Sequence, residues 1–414
     1  MNNNKNCLIG LPLLFSLPAL PALAEGFFED SKATLQTRNF YLNRDFRDGT
    51  GQNKREEWAQ GFTLDLKSGY TPGPLGFGID ALGMLGVKLD SSPERTGTGL
   101  LPVHDDGRAP DEYSKLGLTA KLRFSQSELR LGSLVPDLPS VQANNGRLFP
   151  QVFRGGLLSS GEIDNLTLTA GRLDKVTDRD QAASQDLALN NKNSRFRSTT
   201  ADHFDLAGAE YAFSDRLSGS YHYSKLDEVY RQHAFNVLGN TPLGSGKLLF
   251  DVRLAISDDQ GPALGGKIDN RALNGMLTYA LGGQKFAVGL QRMFGDSAFP
   301  YLDGTDPYLV NFVQINDFAG ANERSWQLRY DYNFASLGLP GLGFMTRYVK
   351  GDDVEVARGG QGQEWERNTE LQYTVQGGAL KNLNLRWRNA AYRSSFSRSV
   401  DENRLILSYS IPLR

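Results

Sequence analysis

Two arginines a single residue apart, Arg386 and Arg388, stand in the stretch L-N-L-R-W-R-N-A-A-Y from Leu383 to Tyr392. A guanidinium is permanently charged and carries a planar fork of donors, so a set of them can hold a carboxylate bidentately and pass it on. Arg38, Arg123, Arg130, Arg253, Arg329, Arg347 and Arg404 also fall on the polar parity of alternating segments. A row of such charges in a narrow passage focuses potential and concentrates anions, and several weak rungs conduct better than one tight site. The competing use is bracing. Asp65, Asp80, Asp251, Asp331, Glu364, Glu366 and Glu370 share the inward parities, so some arginines are expected to spend their charge on ion pairs within the wall.

Alternation is what places these residues. In the opening stretch Leu383, Leu385, Trp387 and Ala391 share one parity, and Asn384, Arg386, Arg388 and Tyr392 the other. A strand points alternate side chains to opposite faces, and a soluble core has no partners for a whole arginine face. A wall with hydrocarbon outside and water inside does, which is the pattern of a transmembrane β-barrel. The same pattern recurs in Lys32 to Phe46, in Trp58 to Tyr70, in Leu75 to Leu89, and in Lys115 to Phe124 followed by Leu129 to Leu131. Short turns are expected at Thr71 to Pro74, Ser214 to Arg216, Gly282 to Gln284, Ser336 to Gly341 and Gln376 to Lys381. Long polar loops are expected at Ser91 to Tyr113, Asp174 to Ala201, Ser257 to Asn270, Gly295 to Asn322 and Gly351 to Gly362. Short connections on one end and long ones on the other suit an outer-membrane barrel. Either Tyr308 to Phe318 or Val229 to Gly239 must be a strand; the short/long alternation selects the second. The expected fold is all-β, a transmembrane antiparallel β-barrel of about 18 strands, an even number as single-chain bacterial barrels have.

The stretch from Leu131 to Gly155 breaks the pattern. It holds Pro136, Pro139 and Pro150 and an Asn144-Asn145-Gly146 turn, so it is neither strand nor helix. Leu138, Val141, Leu148, Phe149, Val152 and Phe153 are too apolar for a free surface loop, and folding inward as a constriction loop would cover them.

The ends and composition agree with an exported barrel. Lys5 precedes an apolar run from Leu8 to Leu23 ending Ala22-Leu23-Ala24, which reads as a signal peptide, residues 1–24, ahead of a single barrel domain, residues 25–414. The one cysteine, Cys7, lies in that signal, which excludes a disulfide framework and cysteine chemistry from the mature chain. Mean hydropathy is −0.41, with no apolar run after the signal long enough for a spanning helix. The net charge of −2 gives no footprint for nucleic acid. His104, His203, His222 and His233 show no metal-ligand spacing and no nucleophile elbow is present, so no catalytic, metal or cofactor residues are assigned. A siderophore receptor would carry a plug ahead of the barrel, whereas alternation here begins within ten residues of the expected cleavage point.

Several blocks resemble the OprD family of substrate-specific outer-membrane porins. They are the proline-rich stretch above, FFEDSKATLQTRNFYLNRDF (Phe27 to Phe46), the segment from Phe299 to Ala335, RWRNAAYRSSF and DENRLILSYS. The resemblance covers the mature chain. It implies an eighteen-stranded barrel, monomeric or weakly trimeric, whose inward loop (with Pro136, Arg147 and Pro150) forms an eyelet beside a basic ladder. Arg38, Arg386, Arg388 and Arg404 match ladder positions best, with Arg123 and Arg130 next. Asp296, Tyr301, Asp303 and Asp306 fall in a long loop that, by the same resemblance, contributes to the eyelet and faces the ladder, where they would meet a positive group on a solute. The chain departs from the usual terminal aromatic residue by ending Ile411-Pro412-Leu413-Arg414. The function expected is passive, selective diffusion of small carboxylate solutes, cyclic or aromatic carboxylates ahead of basic amino acids, across the bacterial outer membrane. The implied partners are these solutes, outer-membrane lipid and lipopolysaccharide, and the outer-membrane assembly machinery. The alternative is a barrel enzyme of protease or lipase type.

Overall fold

Alternation along each strand sorts the side chains in space as it does in sequence. In Glu112–Phe124, Leu116 and Leu118 are 73% and 53% exposed on the outer wall. On the opposite parity Lys115, Thr119 and Lys121 turn inward and are buried, and Lys121 pairs with Asp80 at 2.6 Å. The computed structural model describes residues 26–356 and 359–414; the expected signal peptide lies outside the described residues.

Eighteen strands form one closed antiparallel sheet. They are β1 (Lys32–Phe46), β2 (Lys54–Lys67), β3 (Leu75–Asp90), β4 (Glu112–Phe124), β5 (Ser127–Leu134), β6 (Val152–Ile163), β7 (Leu166–Thr177), β8 (Phe204–Ser214) and β9 (Leu217–Leu226). The second half comprises β10 (Tyr230–Leu243), β11 (Gly246–Asp259), β12 (Asp269–Leu281), β13 (Gln284–Phe294), β14 (Arg324–Asn333), β15 (Leu342–Glu355), β16 (Gln361–Thr374), β17 (Asn384–Ser394) and β18 (Val400–Pro412). Each strand pairs with the next, and β1 closes on β18 from Thr34↔Pro412 to Phe46↔Val400. Closure satisfies every strand edge, which hydrocarbon requires.

The strand choice made from loop alternation holds, since Tyr230–Leu243 is a strand and residues 308–318 are irregular. Their backbone groups are served by lumenal side chains instead of a ladder. Asn274 Oδ1 and Gln291 Oε1 accept from the amides of Val310 and Asn311, and Gln327 Nε2 donates to the Val310 carbonyl. Glu366 accepts from the amides of Ile315 and Asn316 at 3.0 and 2.9 Å. A buried loop is viable only with such accounting.

Some boundaries differ from expectation. The second strand runs Lys54–Lys67 rather than from Trp58 to Tyr70, and β15 continues past Gly351 through a bulge to Glu355. The end asymmetry is also looser. Residues 227–229 make a short connection on the loop side, whereas 375–383 make a long one on the turn side.

Buried apolar clusters lie inside the barrel, where the loops fold in. One gathers Phe153, Leu173, Leu187, Leu189, Phe204 and Leu302. Another gathers Phe40, Leu42, Leu100, Leu101, Leu148 and Phe149. The apolar belt of the outer wall is the surface that faces lipid.

Candidate functional site

Residues 135–151 enter the lumen and are held there by shape. Gly61 on the inner face of β2 leaves room for them; a Cβ there would lie 2.9 Å from Leu148 Cγ and 3.1 Å from the Phe149 ring. Phe149 packs edge-on against Tyr113 at 5.5 Å, with the Lys115 ammonium 5.7 Å from its centroid. The Pro136 carbonyl accepts from Ala143 at 2.8 Å across the small hairpin Asp137–Leu138/Val141–Gln142. Pro150 lines the passage. Residues 295–323 come in from the other side, and Gln142 bridges to Asp306 where the two loops meet.

The inner wall facing this constriction carries guanidiniums on adjacent strands. Arg329 of β14 stands opposite Arg347 of β15 in register. Glu370 of β16 stands opposite Arg388 of β17, and Arg388 opposite Arg404 of β18. Arg38 and Arg44 of β1 complete the arc.

Their partners divide them into two kinds. Arg386 and Arg388 share one carboxylate, Glu370, at 2.7 and 3.1 Å. Arg404 and Arg44 share another, Glu402, at 2.6 and 2.5 Å. The third acid here, Glu366, is taken up by loop amides. By contrast Arg38 donates to Asn145 Oδ1 at 3.0 Å and to the Arg147 carbonyl at 2.5 Å. Arg147 donates to the Thr98 carbonyl at 2.8 Å, and Arg347 to Asn368 Oδ1 at 2.7 Å. These last three guanidiniums are held by neutral oxygens and make no direct ion pair among the described residues. Around the eyelet, Arg38, Arg44, Arg147, Arg386, Arg388 and Arg404 contact only Glu370 and Glu402 as acids among the described residues, so these guanidiniums outnumber the carboxylates that they touch.

Arg404 also touches both inserted loops, donating to Gly146 O at 3.4 Å and Gln314 O at 3.1 Å. It is 2% exposed, so it clamps the constriction more than it offers a free rung. Arg386 and Arg388 line a recess of about 580 Å³ together with Arg329, Arg347 and Glu370. Arg38 and Arg130 line a second, of about 510 Å³, on the turn side of the constriction with Asn145 and Pro150. Arg130 is engaged by Glu128. Arg123 lies outside both recesses, its guanidinium 4.2 Å from the Tyr70 ring centroid.

The four residues named in the long loop separate. Asp296 forms an exposed pair with Lys267 at 2.7 Å. Tyr301 donates to Asp317 Oδ2 at 2.8 Å, and Arg195 pairs with the same carboxylate at 2.7 Å. Burial opposes the charge of Asp317, but Arg195 and Lys192 outweigh it and hold the carboxyl well below its usual range. Asp303 accepts from Asn190 at 2.7 Å. Asp306 accepts from Asn144, joining the two loops, and burial raises its pKa against the pull of Arg179.

Residues that the arginine pattern did not single out also belong to the arc. Arg44 shares the inward parity of Arg38 on the same strand, so its signal was present. Thr98 and its neighbours belong to a loop read as polar; the apolar pair Leu100-Leu101 marked its inward fold.

A closed barrel of this size, with an inserted constriction loop and a cationic wall, is a selective outer-membrane channel. The family described as "outer membrane porin, OprD family" matches residues 25–413, and the chain belongs to that family of the bacterial outer membrane. It is 42% identical to "Porin-like protein GalP" of Pseudomonas putida over 97% of this chain and 96% of that one. OccK5 (OpdH) of Pseudomonas aeruginosa is 61% identical in its crystal structure, with a TM-score of 0.86 over 94% of this chain and 100% of that one. OpdK of Pseudomonas aeruginosa, crystallised with vanillate, is 43% identical, with a TM-score of 0.89 over the same shares.

Proposed function

We propose that this porin passes small carboxylate-containing solutes by passive diffusion, without catalysis, and that the arginine arc is its selectivity element. The observation that carries this reading is the mismatch at the eyelet, where four guanidiniums share two carboxylates and two more, Arg38 and Arg147, are held by neutral oxygens alone. A purely bracing role would balance the charges one to one. A positive excess beside a constriction draws anions, and the forked donors of Arg386 and Arg388 suit a carboxylate.

Arg386, Arg388 and Arg38 are assigned as rungs, with Arg130 toward the turn side and Arg404 positioning the loops. Arg123 is assigned to the mouth, and Asp303 and Asp306 to a polar flank that takes a hydroxyl or positive group. Tyr301 supports that flank. Asp296, in its exposed pair, is placed at the entrance. Pro136, Arg147 and Pro150 shape the constriction. Cyclic and aromatic carboxylates are the favoured class, in keeping with the vanillate bound to the OpdK relative, an aromatic carboxylate.

The test is single-channel recording in planar bilayers at low salt, titrating benzoate and, separately, arginine. Benzoate should perturb the current at lower concentration than arginine. Channels that conduct but ignore benzoate would refute carboxylate selectivity, and a folded protein with no conductance would favour a barrel enzyme.

A further inference from the structure

The outer wall of β14–β17 carries an unusual charge. Arg367 sits on the outward parity of β16, between Trp365 and Thr369, while its neighbours Glu366 and Asn368 are buried inside. It is exposed on the lipid side. The flanking outward positions on adjacent strands are Tyr348 of β15 and Ala391 of β17.

Depth follows from the aromatic girdle. Trp326, Tyr348 and Trp365 form a row on this face, with centroids 5.6 and 5.7 Å apart. Such rows mark the membrane interface, and Trp365 lies on the side nearer the long loops. Arg367 is one outward position further in, roughly 5 Å deeper at the strand tilt of a barrel. A charge on the lipid face is costly, more so with depth, so its presence calls for a partner.

The charges above the girdle have partners and Arg367 does not. Arg324 pairs with Asp353 at 2.8 Å, Lys350 with Asp352 at 3.0 Å and Arg393 with Asp401 at 2.7 Å. Among the described residues no carboxylate makes an ion pair with Arg367. Its neighbours Thr346, Thr369 and Ala391 are small, which leaves the wall hollowed beside it. An apolar groove of about 630 Å³ starts at Arg367 and Tyr348 and runs down the wall past Thr346, Leu328, Val288 and Phe286.

We propose that this face is a binding site for one phosphorylated lipid of the outer leaflet, its phosphate on Arg367 and one acyl chain in the groove below. A cation at the interface above an apolar groove is complementary to a phosphate joined to a hydrocarbon chain. Both parts are needed: the phosphate offsets the charge that lipid tails cannot solvate, and the chain covers the groove.

Native mass spectrometry of protein freed of lipopolysaccharide would test this, titrating diphosphoryl lipid A, its dephosphorylated form and phosphatidylcholine. Wild type should retain one lipid A at least ten-fold more tightly than R367Q, and should hold the dephosphorylated form no better than R367Q holds lipid A. T346W, which fills the groove, should also weaken lipid A. Unchanged single-channel conductance in R367Q would confirm that the barrel is intact, because Arg367 points away from the lumen. Equal binding of lipid A by wild type and R367Q, or equal binding of the dephosphorylated lipid, would overturn the site. Loss of oligomers in R367Q with lipid binding unaltered would overturn it too, assigning Arg367 to contact with a second copy.

Discussion

Replacing Arg388 by glutamine removes one charge from the arc while leaving Glu370 paired with Arg386 at 2.7 Å. The barrel should therefore assemble normally, since no buried acid loses its last partner. The effect on a solute is Coulombic. At ~5 Å a unit pair is worth about 0.8 kcal/mol in water and about 3 kcal/mol at an effective dielectric constant of 20. The recess beside Arg388 is open and lined by polar groups, so the value belongs near the lower end, ~1 kcal/mol. That corresponds to roughly five-fold weaker apparent affinity for a monocarboxylate. The assay is current block by benzoate at low ionic strength, compared with R367Q as control, because Arg367 lies on the outer wall and its replacement removes the same charge away from the lumen. The difference should vanish near 1 M salt, where the screening length is about 3 Å. Unaltered benzoate block in R388Q at low salt, with conductance intact, would refute the idea that this arginine acts on the solute.

Glu370→Gln should act in the opposite direction: it uncovers both Arg386 and Arg388, so benzoate block should strengthen several-fold, and a weaker block would indicate that Glu370 positions the guanidiniums. Gly61→Val should displace the constriction loop, because a Cβ there would lie 2.9 Å from Leu148 Cγ; conductance should rise and selectivity fall, and an unchanged current would contradict the seating described. Glu323, which closes the loop 295–323, is buried, and burial followed by the nearby Glu364 holds its carboxyl well above the usual range. A raised folded pKa means its stabilising contribution is complete below an ordinary carboxyl value of about 4.5 and lost as pH rises through the folded value. Loop cleavage by added protease should therefore increase toward alkaline pH in wild type, with a flatter profile in E323Q; identical profiles would count against this anchor.

Much of this architecture is legible in sequence because hydrocarbon imposes a period of two. The parity of Leu385 and Trp387 against Arg386 and Arg388 gives the inner face directly. The proline-rich block at 136–150 is equally plain, being too apolar to be free and too broken to be a strand. What alternation does not carry is register. That Glu370 faces Arg388, and Arg388 faces Arg404, depends on how three strands slide past one another. A charge on the inward parity can therefore be named from sequence, but its partner cannot. The loops suffer for another reason. Asp296 and Asp306 lie ten residues apart in one polar segment, yet one ends in an exposed pair with Lys267 and the other at the junction with Asn144. Nothing periodic distinguishes them.

Sharing of acids explains how the arc can be both braced and active. If each arginine had its own carboxylate, the wall would be rigid but nearly neutral to a passing anion. If none did, every guanidinium would need a solute to satisfy it, and the first carboxylate to enter would stay. Two arginines on one acid lie between these limits. Glu370 fixes the direction of Arg386 by a hydrogen bond, holds Arg388 beside it by charge and cancels about half their field, while leaving donors that a carboxylate can take. Arg388 Nε is informative here: it lies 3.1 Å from Glu370 Oε2 but is not aimed to form a hydrogen bond. Glu370 therefore restrains Arg388 by charge rather than by geometry, and its fork can swing toward a solute without breaking a bond. A rung that moves a little and binds weakly on each visit is what several sites in series require.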